Sequence, residues 1–237
     1  MSPPVPDVVP GRSESPAENP VLGRTFDAVL FDLDGTLISS IGAVVRSWAQ
    51  LLREFAIPTD RLGDYHGIPA SSLIDTVMHD RTAAERARAL VRIVEIEVAD
   101  TADIEILPGA ARALAALAGS GRVAIVTSGS RELARARLVA TGLAAPGVVV
   151  TADDITRGKP DPEPFVVGAT RLGVDANRCL VVEDATAGIT AARAAGATTI
   201  ALTTTTTRDK ITGDLVVPDL SALRFELVPA GVRVTRA

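Results

Sequence analysis

The chain has 237 residues, enough for one large or two modest domains with an ample core, and its single cysteine, Cys179, excludes a disulfide framework and a zinc cluster. Its net charge of −5, with arginines scattered among acids rather than grouped in a stripe, excludes nucleic acid as an expected partner, so an anionic ligand has to be captured by a local site. No apolar run reaches roughly 18 residues and the N-terminus lacks the layout of a signal peptide, so no membrane association is expected and the expected location is the cytoplasm.

Residues 1–24 carry Pro3, Pro4, Pro6, Pro10, Pro16 and Pro20 among Ser, Glu and Asn. Too poor in large apolar groups to repay the entropy of ordering, they are expected to form a disordered, proline-rich tail. The run Ala28-Val29-Leu30-Phe31 then reads as a buried strand that ends in Asp32-Leu33-Asp34-Gly35-Thr36-Leu37. Alternate strand residues point the same way, but a glycine just past the strand end can turn the backbone and aim Asp32 and Asp34 differently. One carboxylate can then attack while the other handles protons. A core strand has no structural use for two unpaired acids, because burying a charge without a partner or a metal is very costly. The bland reading is a turn with an Asp cap.

After Leu37 the period changes. Val44, Val45, Trp48, Leu51, Leu52 and Phe55 recur at helical spacing and predict a helix over 43–56, with Trp48 as packing rather than a stacking platform. Pro58 ends it, a shorter helical stretch surrounds Leu73, Ile74, Val77 and Met78, and Thr82-Ala83-Ala84-Glu85 reads as a capping box for a third helix running to about residue 100. The segment 40–105 is therefore expected to be helical throughout.

From Pro108 onward helices alternate with short Val/Ile/Leu runs. Strands are predicted at 123–126, 148–150, 180–182 and 198–202, and helices at 110–117, 130–140, 162–172 and 185–195. Such alternation, with continuously apolar strands, predicts a parallel sheet covered on both faces, which binds ligands beyond the carboxyl ends of its strands. Cys179 opens one apolar run and reads as a core residue. The threonines at 203–207 read as a loop on the rim, 215–217 as an edge strand, and 223–228 with 232–235 as a terminal hairpin.

Chemistry-bearing residues fall at these strand ends. Val126 is followed by Thr127-Ser128-Gly129-Ser130, whose hydroxyls and amides can hold phosphate oxygens. Gly158-Lys159-Pro160-Asp161-Pro162 supplies a cation in a proline-stiffened segment, with Asp161 as a helix cap. Leu180-Val181-Val182 ends in Glu183-Asp184, ahead of the small residues Ala185, Thr186, Ala187 and Gly188. An acid pair, a hydroxyl, a lysine and a second acid pair are what a magnesium-dependent phosphoryl-transfer site requires.

That ordered set, at Asp32/Asp34, Thr127, Lys159 and Glu183/Asp184, resembles the haloacid dehalogenase superfamily of phosphohydrolases over residues 26–220. The resemblance implies an α/β fold: a Rossmann-like doubly wound parallel sheet core, over 25–39 and 106–237, with an inserted small α-helical cap domain at 40–105. The connections near Ile38-Ser39-Ser40 and Ile104-Glu105-Ile106 become its hinges. Most relatives carry an acid at the position of Ser39.

The resemblance also implies roles. Asp32 is the nucleophile that forms an aspartyl phosphate, and Asp34 protonates the departing alcohol and then deprotonates water. Thr127 and the Ser128 amide hold phosphate oxygens, while Lys159 offsets charge. Magnesium is expected on the Asp32 carboxylate, the Asp34 carbonyl and Asp184, with Glu183 orienting metal-bound water. Tyr65-His66-Gly67-Ile68 with Leu73-Ile74-Asp75-Thr76-Val77 looks like the cap signature of small sugar-phosphate and polyol-phosphate phosphatases, which makes His66 a candidate substrate-binding residue, as a capping or packing role also would explain it. In those relatives basic residues follow the His-Gly pair, where this chain has Ile68, Pro69 and Ala70.

Three readings follow: a phosphatase of small phosphorylated sugars or polyols, a mutase similar to beta-type phosphoglucomutases, and a catalytically silent binding protein of the same fold. Mutases resembling this chain carry a cap histidine four residues before the tryptophan and an arginine three residues after the cap glycine. Those positions are Val44 and Ala70 here. A monomer or weak homodimer is expected.

Overall fold

The computed structural model describes residues 20–63 and 68–237. The chain opens with β1 (Thr25–Phe26), β2 (Ala28–Phe31) and β3 (Ile38–Ser39), then runs through α1 (Ile41–Glu54), α2 (Ala70–Val77) and α3 (Ala83–Ala99) to β4 (Glu105–Ile106). The alternating part follows as α4 (Ala110–Ala116), β5 (Val123–Val126), α5 (Arg131–Thr141), β6 (Val148–Val150), α6 (Glu163–Arg171), β7 (Cys179–Glu183), α7 (Thr186–Ala194) and β8 (Thr198–Leu202). Three strands close the chain: β9 (Leu215–Val217), β10 (Leu223–Val228) and β11 (Gly231–Arg236).

Six strands form one sheet in the order β6-β5-β2-β7-β8-β9, every pairing parallel. The chain winds outward from β2 through β5 to β6, crosses to β7 and winds the other way, so the switch point lies beside β2. Strand residues alternate between two apolar clusters. Val29 and Phe31 of β2, Ile125 of β5 and Val182 of β7 face α4 and α5, whereas Ala28, Leu30, Ala124 and Val181 face α6 and α7. Both faces are covered, and this is why the strands read as unbroken apolar runs. Cys179 is buried, and burial pushes its thiol up to about 12, as a core residue requires.

β10 and β11 form the expected hairpin, and β1 adds to β11 to make a three-stranded antiparallel sheet. Phe225 of β10 meets Phe31 of β2 edge to face, with ring centroids 5.4 Å apart, and ties this sheet to the core. The expected tail ends before residue 24. Val21 is fully buried in the core and the Gly23 N–H donates to the Val234 carbonyl at 2.8 Å, because the apolar Val-Leu pair precedes β1 and is drawn in with it. Residues 1–19 of that expectation lie outside the described residues.

Helices α1, α2 and α3 pack around a cluster of their own that includes Trp48, Leu51, Ile74, Met78 and Ile93. Helix α1 begins two residues earlier than its apolar spacing suggested and stops at Glu54, since Phe55 caps it and Ala56 takes a positive φ of 49°. The capping box at α3 is formed in both directions: Glu85 N–H donates to Thr82 Oγ1 and Thr82 N–H to Glu85 Oε2. β3 pairs antiparallel with β4, so the two connections to the helical layer run side by side. Helix α3 lies against α5 and brings the layer over the carboxyl end of the sheet. Among the described residues no helix is long and apolar enough to cross a membrane.

Candidate active site

The floor of the site is built by the ends of β2 and β7 and the loop before α6. Asp32 continues the β2–β7 ladder, its N–H donating to the Val182 carbonyl at 3.0 Å. Lys159 is buried, and its ammonium donates to Asp32 Oδ1 at 2.6 Å, to Glu183 Oε1 at 2.7 Å and to the Val126 carbonyl at 3.0 Å. Glu183 Oε2 accepts the Asp184 and Ala185 N–H groups, both at 2.9 Å, so this oxygen holds the turn after β7. Asp184 accepts from Thr36 Oγ1 at 3.1 Å and from the Thr205 hydroxyl.

Two glycines make room for these acids. Gly35 has a φ of +90°, and a Cβ there would collide with Asp184 Oδ2. A Cβ on Gly188 would collide with the Glu183 carboxylate. Asp161 serves the start of α6 as expected, its Oδ1 accepting from Glu163 N–H at 3.0 Å, although the helix begins at Glu163 rather than 162.

The loop after β5 forms one side. Thr127 is buried and its hydroxyl accepts from Gly129 N–H at 3.1 Å, while Ser130 caps α5 by accepting from Leu133 N–H at 3.2 Å. Asp34 lies across from this loop, where its Oδ1 accepts from Ser40 Oγ at 2.8 Å and sits 2.8 Å from an Arg137 guanidinium nitrogen. The other terminal nitrogen of Arg137 is 3.7 Å from Glu97 Oε1 on α3.

Electrostatics at the floor favour an added cation. Asp32, Glu183 and Asp184 can present carboxylate oxygens within 4.8 Å of one another, against the single ammonium of Lys159. Burial raises the Asp32 carboxyl well above its ordinary range; Lys159 pulls the other way, and Glu183, Asp184 and Asp34 add to the rise. Burial, reinforced by Glu183, also lifts Asp184 to about 7, against the Thr205 and Thr36 hydroxyls and Lys159. Burial alone would lower Lys159, but Asp32 and Glu183 outweigh it and keep the ammonium charged. An excess of buried carboxylates with hard oxygen donors fits a metal site.

Above the floor opens a cavity of about 880 Å³. Asp32, Asp34, Thr127, Ser128 and Arg137 line its lower part, and Val44, Trp48, Ile68, Ala70, Leu90 and Val94 its upper wall. The structure thus brings together Asp32, Asp34, Thr127, Ser128, Lys159, Glu183 and Asp184; His66, with Tyr65 and Gly67, lies outside the described residues. Trp48 packs in the helical cluster and borders the cavity as well. Sequence reasoning missed Ser40, Arg137, Glu97 and Thr205. The last two of these have opposite histories: Glu97 lies on the apolar stripe of α3, a readable sign, whereas nothing marks Thr205 within its threonine run.

Residues 26–196 match the model of the haloacid dehalogenase-like hydrolase family. The chain belongs to that family. It is 40% identical over 205 residues to hexitol phosphatase A of Escherichia coli strain K12, covering 85% of this chain and 95% of the relative. It is 34% identical over 211 residues to validoxylamine A 7'-phosphate phosphatase of Streptomyces hygroscopicus subsp. limoneus, covering 84% and 97%. A hydrolase from Pseudomonas syringae shares the fold with a TM-score of 0.69 at 30% identity, over 76% of this chain and 85% of that one. With these relatives and this site, the protein is a phosphoric monoester hydrolase.

Proposed function

We propose that the protein is a cytoplasmic, magnesium-dependent phosphatase of small phosphorylated sugars or polyols that works through an aspartyl phosphate on Asp32. The observation that carries this reading is the buried Asp32 carboxylate on the cavity floor, paired at 2.6 Å with Lys159 and clustered with Glu183 and Asp184. The 40% identity to a hexitol phosphatase supports the substrate class.

In this reading an Asp32 oxygen attacks phosphorus and the bond from phosphorus to the substrate alcohol breaks. Asp34 gives its proton to the departing oxygen, a contribution worth about 10²–10⁴-fold. Asp34, now a carboxylate, takes a proton from water as that water attacks the acyl phosphate, freeing inorganic phosphate and restoring Asp32. Thr127 and the Ser128 amide orient phosphoryl oxygens, and Lys159 offsets the charge gathered when a phosphate dianion nears a carboxylate. Magnesium held by Asp32, Asp184 and the Asp34 carbonyl, with Glu183 behind them, would supply Lewis-acid neutralisation of the phosphoryl group. Residues 40–105 act as a cap that excludes water from the leaving group, hinged where β3 and β4 pair, and His66 is assigned to substrate reading.

The test is phosphate release across hexitol, hexose, glycerol and glycolate phosphates. Polyol and sugar phosphates are expected to be hydrolysed fastest, chelator to stop hydrolysis, and Asp32→Asn to leave neither turnover nor a trapped phosphoenzyme. Equal rates with and without metal would overturn the site assignment.

A further inference from the structure

Arg137 is one of the buried residues of α5, beside Leu133, Ala134 and Leu138; with Leu133 it lines the cavity, and only 4% of it is exposed. A cation in such a place is costly unless paired. Its two terminal nitrogens reach in different directions, one to Asp34 Oδ1 at 2.8 Å and one to Glu97 Oε1 at 3.7 Å, while its buried Nε has no hydrogen-bond partner. Stability alone would be better served by a guanidinium with every donor satisfied.

The Asp34 oxygen that Arg137 touches also accepts from Ser40 Oγ at 2.8 Å. Ser40 occupies the cap position of α1, yet its side chain makes no capping bond to that helix. A hydroxyl from the start of the helical layer and a guanidinium from the core therefore converge on one oxygen, and Glu97 holds that guanidinium from α3. Two donors on one oxygen fix the plane of a carboxylate.

We propose that Arg137 is a positioning residue for Asp34: anchored from the helical layer by Glu97, it holds the carboxylate facing the leaving-group oxygen when the layer is seated over the core. This rests on the reading of Asp34 as acid and base. Loss of Arg137 should then spoil protonation of a poor leaving group and activation of water, and spare capture of the phosphoryl group by Asp32.

The test compares Arg137→Met, Arg137→Lys and Glu97→Gln with the wild-type full chain in magnesium, on a hexitol phosphate and on nitrophenyl phosphate, whose leaving group needs little protonation. For Arg137→Met we expect kcat on the hexitol phosphate to fall by about 10²-fold, the scale of a positioned acid, with KM little changed. On nitrophenyl phosphate the same variant should release one equivalent of nitrophenol per enzyme at near-normal rate and then turn over slowly, as phosphoenzyme accumulates. Arg137→Lys should recover part of the loss, and Glu97→Gln should show the same pattern at smaller size. Equal loss on both substrates without a burst, or a rise in KM with kcat unchanged, would overturn the positioning role. If Arg137→Met does not fold, Glu97→Gln decides by the same criteria. A wild-type protein without metal-dependent hydrolysis would instead sink the phosphatase reading, and this role with it.

Discussion

At the scale of single residues, legibility depended on whether a side chain's purpose is written in its neighbours. Asp32, Asp34, Thr127 and Glu183 follow apolar strands, so their polarity stands out against a core that has no other use for them. Arg137 stands among Arg131 and Arg135, and only its place in line with Leu133, Ala134 and Leu138 distinguishes it. Thr205 has no such signal, since its contact with Asp184 depends on where a loop after β8 falls in space. Glu97 allows a direct test. Burial pushes its carboxyl up to about 7 from 4.5, with Arg137 pulling down and Asp34 adding to the rise. The native state thus binds more protons than the unfolded chain between these values, so the contribution of Glu97 to stability is present below about pH 4.5 and lost as pH climbs through about 7. The full loss is on the order of 3 kcal/mol. Urea unfolding of Glu97→Gln should show a gain over wild type that grows across this window, with the shared titrations of Asp32 and Asp184 cancelling in the difference. A difference independent of pH would show that Glu97 is not held protonated by its burial.

At the scale of elements, the core strands could be read almost to the residue, because burial on both faces leaves continuous apolar runs bounded by polar turns. Helix starts were readable where a cap writes them and, at α4, without a side-chain cap. Thr82 and Glu85 fix the start of α3, whereas α1 begins at Ile41 behind Ser40, whose side chain makes no cap bond, two residues before its apolar spacing suggests. Strand β1 went unread, since two residues give no period and its partner β11 lies at the far end of the chain. Because the Thr82 box is exposed and far from the acids, removing it should touch stability alone. Thr82→Ala is expected to cost about 1 kcal/mol, which for a chain of this size lowers the melting temperature by about 2–4 °C. Calorimetry checks the shift, and turnover at saturating substrate should be unchanged; a fall in kcat would mean that the start of α3 transmits strain to the cavity.

At the scale of the whole molecule, the question is what the cavity between helical layer and sheet can hold. A mutase must return phosphate to a second hydroxyl, so it has to bind a bisphosphate in two orientations and keep water out between them. Among the described residues that line this cavity the only cation is Arg137, and it is engaged by Asp34 and Glu97. Val44 and Ala70, which stand where similar mutases carry a histidine and an arginine, both face the cavity and offer it no side-chain donor. Glu132 and Asp153 add negative charge to the walls, and Glu95 there is paired with Arg92 at 3.0 Å. A second phosphate would therefore lack the bidentate arginine such a group requires and would meet like charge instead. Water should win the competition for the aspartyl phosphate. Given a hexose 1-phosphate and a hexose bisphosphate activator, the protein is expected to release inorganic phosphate and to form little or no 6-phosphate isomer, as phosphorus NMR of the mixture would register. Introducing Val44→His with Ala70→Arg should raise affinity for the bisphosphate, because it restores a donor and a cation to the wall that lacks them. Stoichiometric isomerisation by the wild-type protein without phosphate release would move it to the mutase branch and would require a phosphate-binding group supplied from beyond these walls.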